Sequence, residues 1–211
     1  MTQADNTTSL PRCVWLVRHA QADWNRQQRY MSHTDRPLTA FGEAQAAALA
    51  RFFQARRIDA VLHSGLTRTR ATAERLVGAR TIPVFADARW READHGAWEG
   101  LTYTQVVARD PEGVRQRFAD PVHCAPPQGE SLADLVERVA EAWRDLGQRF
   151  AGQRIVIVTH AGPIQTLLCA LFGVPLAQHW RWRVDLGSVT RVDCYPQATI
   201  LRCLNVLPLH R

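Results

Sequence analysis

The sequence predicts a three-layer α/β/α sandwich around a mostly parallel central sheet, with an insertion over the carboxyl edge of the strands. Three observations lead there. Short apolar, β-branched runs alternate with helix-period segments along the chain, as expected for strands joined by crossover helices. The runs at residues 14–17 and 155–158 are apolar throughout, as strands covered on both faces tend to be. The stretch from about residue 88 to 133 breaks the alternation and reads as a lid-like insertion.

The elements follow in order. Val14, Trp15, Leu16 and Val17 form a short buried strand that ends on Arg18 and His19. A polar loop over residues 21–35 leads to Thr39, the expected N-cap of a helix over 40–57 that turns Leu49, Phe52 and Phe53 inward. Residues 58–63 make a second strand, broken by Ser64 and Gly65. Thr67 is expected to open a second helix over 67–77, ended by Gly78, and residues 82–85 form a third strand. Residues 87–101 carry two tryptophans, four acids and two glycines without periodicity, which suggests a functional loop. Two short helices follow over 102–110 and 112–119, separated at Pro111. After a proline-rich stretch, Ser131 caps a long amphipathic helix to about Phe150, with Leu132, Leu135, Val139 and Trp143 on one side. Residues 154–159 are the clearest strand and end at His160. Pro163 suits the first turn of a helix that Gly173 ends near Phe172. Residues 184–195 and 200–207 read as a late hairpin at one side of the sheet, whose edge could pair in a homodimer.

At 211 residues the chain is long enough for one well-cored domain, expected over 12–211 behind a flexible polar leader at 1–11. No apolar run reaches the ~18 residues of a membrane span. The first residues lack a signal-peptide pattern, so the expected setting is cytoplasmic. The five cysteines are odd in number, scattered and free of C-x-x-C pairs, against a disulfide framework or a zinc site. Net charge is +6, and all 26 basic residues are arginine. That balance favours anionic partners. The arginines are spread among acids without a basic block, which argues against nucleic acid and for a small phosphorylated metabolite.

Two strands thus end in histidine, His19 and His160, and meet at one edge if they are neighbours. The strand ending at His63 leads to Arg68 near a helix start, where guanidinium and helix terminus both attract an anion. Glu92 lies in the irregular loop, with Asp94 and Glu99 as rival acids. Two arginines, two histidines and a carboxylate make a phosphate pocket with a nucleophile and a proton donor. A phosphoryl group in flight spreads negative charge over its equatorial oxygens, so fixed cationic donors stabilise it. One nitrogen of the attacking imidazole must be unprotonated, so the other needs an acceptor such as a backbone carbonyl.

These residues stand in motifs that resemble the histidine phosphatase superfamily, in the branch that contains cofactor-dependent phosphoglycerate mutases. Leu16, Val17, Arg18 and His19, with Trp24 and Asn25, resemble its Arg-His stretch. Asp35, Pro37, Leu38, Thr39, Gly42 and Gln45 resemble its Asp-x-Pro-Leu-Thr-x-x-Gly-x-x-Gln segment. Ser64 to Arg68 with Thr72, Ala73 and Glu74 are similar to its second arginine motif. Glu92, Gly96, Trp98, Glu99 and Gly100 resemble its acid loop. Gly129, Glu130, Ser131 and Arg138, then Val158 to Gly162, complete the likeness. The resemblance implies that His19 attacks phosphorus and becomes a phosphohistidine. It implies that Arg18, Arg68 and His160 hold the non-bridging oxygens, with Asn25 assisting and Ala161 beside the substrate. Glu92 is implied as the acid that protonates the leaving alcohol and then activates water.

Some positions depart from the pattern. Ala20, Gln21 and Ala22 replace the common Gly-Glu-Thr, Ser32 replaces a glycine and Ala71 a glutamine. The first three bear on specificity more than chemistry. The expected activity is hydrolysis of a phosphate monoester without metal or other cofactor, of the broad-specificity or α-ribazole-phosphate phosphatase type. Mutase-type phosphoryl transfer is the first alternative. The short interval from Glu92 to His160 and the brief tail after the last strand favour an open site and hydrolysis. A non-catalytic module that binds a phosphorylated ligand is the second alternative, and loss of a chemical residue would have favoured it.

Overall fold

The computed structural model describes residues 13–210. The leader expected over 1–11 lies outside the described residues. Six strands form one sheet: β1 (Cys13–Arg18), β2 (Ala60–His63), β3 (Val84–Ala86), β4 (Arg154–Thr159), β5 (Val189–Tyr195) and β6 (Ala198–Val206). Their order is β3-β2-β4-β1-β5-β6. The pairs β2 with β3, β2 with β4 and β1 with β4 are parallel, while β5 and β6 add an antiparallel hairpin beside β1. The helices are α1 (Asp23–Arg26), α2 (Ala40–Gln54), α3 (Thr67–Val77), α4 (Tyr103–Arg109), α5 (Pro111–Ala119), α6 (Leu132–Arg149) and α7 (Ala161–Phe172).

Strand alternation sorts the core into two layers. Val14, Leu16, Ile155 and Ile157 pack with Leu135, Val139, Leu146, Ile164 and Leu167 of α6 and α7. Trp15, Val17, Val156 and Val158 pack with Leu49, Phe53, Ala73 and Leu76 of α2 and α3. Successive side chains of β1 and β4 therefore face opposite helix layers, as the period of two requires. No helix of the described residues is long and apolar enough to cross a membrane.

Several local expectations hold. The Thr39 hydroxyl accepts from the Gly42 amide and caps α2, and Ser131 forms a capping box with Asp134 at α6. Others change. Thr67 does not cap α3: it is the first helical residue, after Leu66. Its amide and hydroxyl instead donate to the Asp35 carboxylate at 2.7 and 2.6 Å, so a distant loop supplies the cap. The break between the two short helices falls at Asp110, which ends α4 and caps α5, and Pro111 is the first residue of α5, where its missing N–H costs nothing. The first late strand begins at Val189 rather than Val184, because residues 184–188 turn inward toward the end of β1. There the Gly187 amide donates to the carbonyls of Arg18 and His19.

Gly42 shows how tightly the first loop is held. A Cβ there would stand 2.1 Å from the Gln21 carbonyl oxygen. The Gln21 amide donates to Gln45 at 2.8 Å, and Gln45 donates onward to the Leu186 carbonyl at 2.8 Å. The Asp-to-Gln motif thus clamps the segment that follows the first histidine. Gly42→Ala is expected to cost about 1–3 kcal/mol by forcing the α2 start away from this loop; urea unfolding of the two proteins measures it.

Candidate active site

The register of β1 on β4 sets the site. Arg18 pairs with Thr159, so the next residues, His19 and His160, emerge side by side at the carboxyl edge. Their rings lie 5.0 Å apart at 62°. The His19 amide continues the ladder to the Thr159 carbonyl at 2.9 Å. The pairing of His63 with Val158 brings the end of β2 to the same edge, and α3 then carries Arg68 beneath the histidines.

His19 is buried, with Nδ1 2.8 Å from the Ala20 carbonyl oxygen. A carbonyl only accepts, so Nδ1 carries the proton and Nε2 is left with a lone pair. Burial lowers the His19 pKa well below the usual 6.5, and the Arg68 and Arg18 charges push the same way against the Ala20 carbonyl. The ring is therefore neutral at physiological pH. Ala20, where glycine is common, is fully buried and its amide donates to Thr72. It is not among the described non-glycine residues with positive φ, so the extra methyl brings no backbone strain.

Arg68 has no exposed surface. Its Nη2 donates to the Ser32 carbonyl at 2.6 Å and to His160 Nδ1 at 3.3 Å, and its Nη1 to the Thr34 carbonyl at 3.1 Å. Burial lowers its pKa to about 10, opposed by Glu92, Asp35 and Glu99, and it remains a cation at neutral pH. A guanidinium can only donate, so His160 Nδ1 must be the acceptor and Nε2 the protonated nitrogen. Nε2–H then donates to Ser64 Oγ at 2.9 Å, Ser64 donates to Thr69 Oγ1 at 2.9 Å, and Thr69 to the Leu66 carbonyl at 2.8 Å. This directed chain fixes the His160 tautomer. Burial also depresses the His160 pKa well below 6.5, with help from Arg68, His19 and Arg18.

Arg18 donates from Nη1 to the Val184 carbonyl at 2.7 Å. Asp185 beside it is held by Asn205, which accepts from the Asp185 amide at 2.7 Å and donates to its carboxylate at 2.8 Å. The Nε atoms of Arg18 and Arg68 are buried without a hydrogen-bond partner. Unpaired donors on buried cations are unusual and mark a place for an anion.

Glu92 meets this cationic group from the irregular loop. Its Oε1 accepts from the Gly162 amide at 3.0 Å and from the Ala93 amide at 3.1 Å. The carboxylate thus sits on the start of α7, where the helix terminus favours negative charge. A Cβ at Gly162 would lie 2.2 Å from that oxygen, which explains the glycine after Ala161. Arg138 on α6 fixes the loop: it grips Glu130 through Nε and Nη2 at 2.9 and 2.6 Å and donates to the carbonyls of Arg89 and Arg91 at 2.7 and 3.0 Å. Glu99, a rival acid from sequence, is committed elsewhere. It accepts from the Ser32 and Thr34 amides and from the Ser32 hydroxyl. Burial raises its pKa, but those hydrogen bonds outweigh that and hold it low. Ser32, another departure, is thereby part of the clasp that presents its carbonyl to Arg68. Asp94 pairs with His33 at 3.5 Å at the surface.

Arg18, His19, Asn25 and Glu92 line one cavity of about 240 Å³, with Gln28, Arg29, Tyr30, Met31, His95 and Tyr103. Asn25 is oriented by accepting from the Ala22 amide at 2.9 Å. Arg68 and His160 lie behind the floor, and Ala161 is half-buried at the first turn of α7. The structure gathers Arg18, His19, Arg68, Glu92 and His160 at one edge of the sheet, with Arg18, His19 and Glu92 on the cavity wall. Sequence reasoning did not find Tyr30, Met31 or Tyr103, which carry no periodic or motif signal. His95 is packed edge-on against Tyr30 at 4.9 Å.

The chain is similar to known proteins along most of its length. The family profile "Histidine phosphatase superfamily (branch 1)" matches residues 14–207. The chain is 32% identical over 191 residues to phosphoserine phosphatase 1 of Hydrogenobacter thermophilus, covering 90% of each protein. It is 35% identical over 184 residues to the probable phosphoglycerate mutase GpmB of Klebsiella pneumoniae, covering 85% of this chain and 84% of that one. The crystal structure of the α-ribazole phosphatase from Shigella flexneri superposes with a TM-score of 0.87 at 31% identity, covering 92% of this chain and 96% of that one.

Two outcomes test this geometry. Because the folded chain holds His19 and His160 neutral, the unfolded chain binds more protons below pH ~6.5, and stability must fall as pH drops through that value. Denaturant unfolding is expected to show a loss of roughly 2–3 kcal/mol between pH 7 and 5.5, before the carboxylates titrate. Gly162→Ala pushes chiefly on the Glu92 carboxylate and more lightly on Leu135 at 3.1 Å, so it is expected to lower the thermal midpoint only slightly while lowering kcat roughly 10²-fold; calorimetry and a steady-state assay separate the two effects.

Proposed function

The chain belongs to the histidine phosphatase superfamily, branch 1, and on that footing we propose that it hydrolyses phosphate monoesters through a phosphohistidine at His19. The observation that carries this reading is the bond from His19 Nδ1 to the Ala20 carbonyl. It leaves Nε2 as a neutral nucleophile beside two arginines with unpaired Nε donors.

In the first step His19 Nε2 attacks phosphorus and the ester P–O bond breaks. The Glu92 carboxyl gives its proton to the departing alkoxide oxygen, and the alcohol leaves. In the second step water attacks the phosphohistidine, the Glu92 carboxylate takes a proton from that water, and the P–N bond breaks to release phosphate and restore His19. Arg18 and Arg68 stabilise the equatorial oxygens in both transition states, with Asn25 assisting at the mouth. His160 acts through Arg68: both its ring nitrogens are engaged within the protein, and it holds the guanidinium in place.

The substrate is a small phosphorylated metabolite, as the names of the phosphoserine and α-ribazole phosphatase relatives suggest for those proteins. The similarity to a probable phosphoglycerate mutase supports a second reading, in which the phosphoryl group returns to a substrate hydroxyl. The arginines supply the cationic charge, so no metal is required. Cys124, Cys169, Cys194 and Cys203 are free thiols, as suits a reducing, cytoplasmic setting.

Hydrolysis of 4-nitrophenyl phosphate is expected to persist in excess chelator. His19→Ala is expected to abolish it, and Glu92→Gln to slow it ~10²–10⁴-fold with a phosphoenzyme trapped on acid quench. Near-normal turnover by the His19→Ala protein would rule the mechanism out.

A further inference from the structure

A second cavity, of about 500 Å³, opens directly beside the catalytic one. Tyr30 and Tyr103 line both, so the two cavities adjoin with these rings between them. Beyond them the wall is almost wholly apolar, with Trp98, Val114, Phe118 and Trp180. Part of it is rigid. Trp98 is buried, its Nε1 donates to Asp110 at 2.9 Å, and its ring lies 5.8 Å from that of Tyr30. The other part is presented to solvent: Phe118 is 74% exposed and Trp180 65% exposed. A soluble surface that keeps large aromatic groups open around a concave site gains by having them covered when a ligand binds.

The polar groups narrow the class of ligand. No residue lining the second cavity is acidic, and Glu92 is the one acid of the first. An ammonium group on the substrate would therefore find no carboxylate beyond the general acid. His179 places Nδ1 3.2 Å from the Leu176 carbonyl, so that nitrogen donates. Arg117, anchored to the Cys124 carbonyl at 2.7 Å, is the only arginine in the wall.

We propose that this cleft is a subsite for the alcohol half of the substrate and selects phosphate monoesters whose alcohol carries an apolar, ring-bearing group. The inference rests on the phosphomonoesterase reading and sharpens it. The phosphoryl group sits among Arg18, His19 and Arg68. The carbons next to the ester oxygen pass between Tyr30 and Tyr103. The ring lies against Trp98, Phe118 and Trp180, where offset or edge-on aromatic contact adds to simple burial. A polar amino-acid ester such as phosphoserine leaves this wall uncovered.

The test compares ethyl phosphate with 4-phenylbutyl phosphate. Both release primary alcohols of similar acidity, so the chemical step is matched and the difference reports burial of the phenyl-bearing chain, with the ring's share read from the aromatic-wall variants. The expected kcat/KM is about 30-fold higher for the phenylbutyl ester, the order expected for burying a phenyl ring, and phosphoserine is expected to resemble ethyl phosphate. The ratio between the two esters should fall at least tenfold in the Phe118→Ala/Trp180→Ala protein and in the single Trp180→Arg protein. A ratio near one in the unaltered protein overturns the subsite alone, because hydrolysis of both esters still upholds the phosphomonoesterase reading. A ratio that survives both variants overturns it too. Loss of turnover on every ester overturns that reading and the subsite with it. A concentration-dependent dimer that Trp180→Arg dissociates, without a change in ester preference, assigns the aromatic wall to a second copy of the chain and overturns the subsite.

Discussion

A positive charge with no contact to solvent is the constraint on which the rest of the site depends. Burying an ionised side chain costs several kcal/mol unless surrounding dipoles replace its hydration. Around Arg68 those dipoles are the carbonyls of Ser32 and Thr34 and the lone pair of His160 Nδ1. Each must be held in place by something else. Glu99 clasps the amides of Ser32 and Thr34. The chain from His160 through Ser64 and Thr69 to the Leu66 carbonyl fixes the ring. Asp35, which closes the same loop, caps the helix that carries Arg68. Much of the polar structure at the carboxyl edge is thus the solvation shell of one guanidinium.

The same charge shapes the site's electrostatics. Together with burial it keeps His19 and His160 neutral, so His19 Nε2 holds a lone pair without a base to free it. Donors fixed before the substrate arrives need no reorganisation as charge moves onto the phosphoryl oxygens. The acid loop follows a parallel design. It has little regular structure, yet Arg138 binds its carbonyls and the α7 amide holds the Glu92 carboxylate. Gly162 lets that carboxylate approach, because any Cβ would occupy its position.

Much of the fold was legible because its signals are local. The runs at Val14 to Val17 and Ile155 to Val158 could only be satisfied between two layers, and the alternation of runs with helix-period segments gave a parallel sheet. His19, Arg18, Arg68, His160 and Glu92 were legible because each ends a strand or stands in a recognisable motif. The misreadings share one cause. Thr67 looked like a cap because Ser and Thr usually are caps, but Asp35 takes that role from far away in sequence. Residues 184–188 run straight into the β-branched stretch that starts at Val189, but they fold against the end of β1 to grip Arg18. In both cases a long-range contact overrode a local preference.

By itself, then, the amino-acid order determined the layers, since these follow from periodicity and residue type, while the likeness of its motifs to a known family implied the reaction class and the candidate residues. Only the tertiary structure decided which acid is free to act, which nitrogen of each histidine carries the proton, and what lies beside the phosphate pocket. Glu92 and Glu99 are chemically identical in a one-dimensional string. They differ because one meets the Gly162 amide at the cavity wall while the other is consumed by the Ser32 and Thr34 amides. The aromatic cleft is assembled from Tyr30, Trp98, Phe118 and Trp180 on four separate segments. No spacing along the chain encodes such a surface, because its parts become neighbours only once the core has closed.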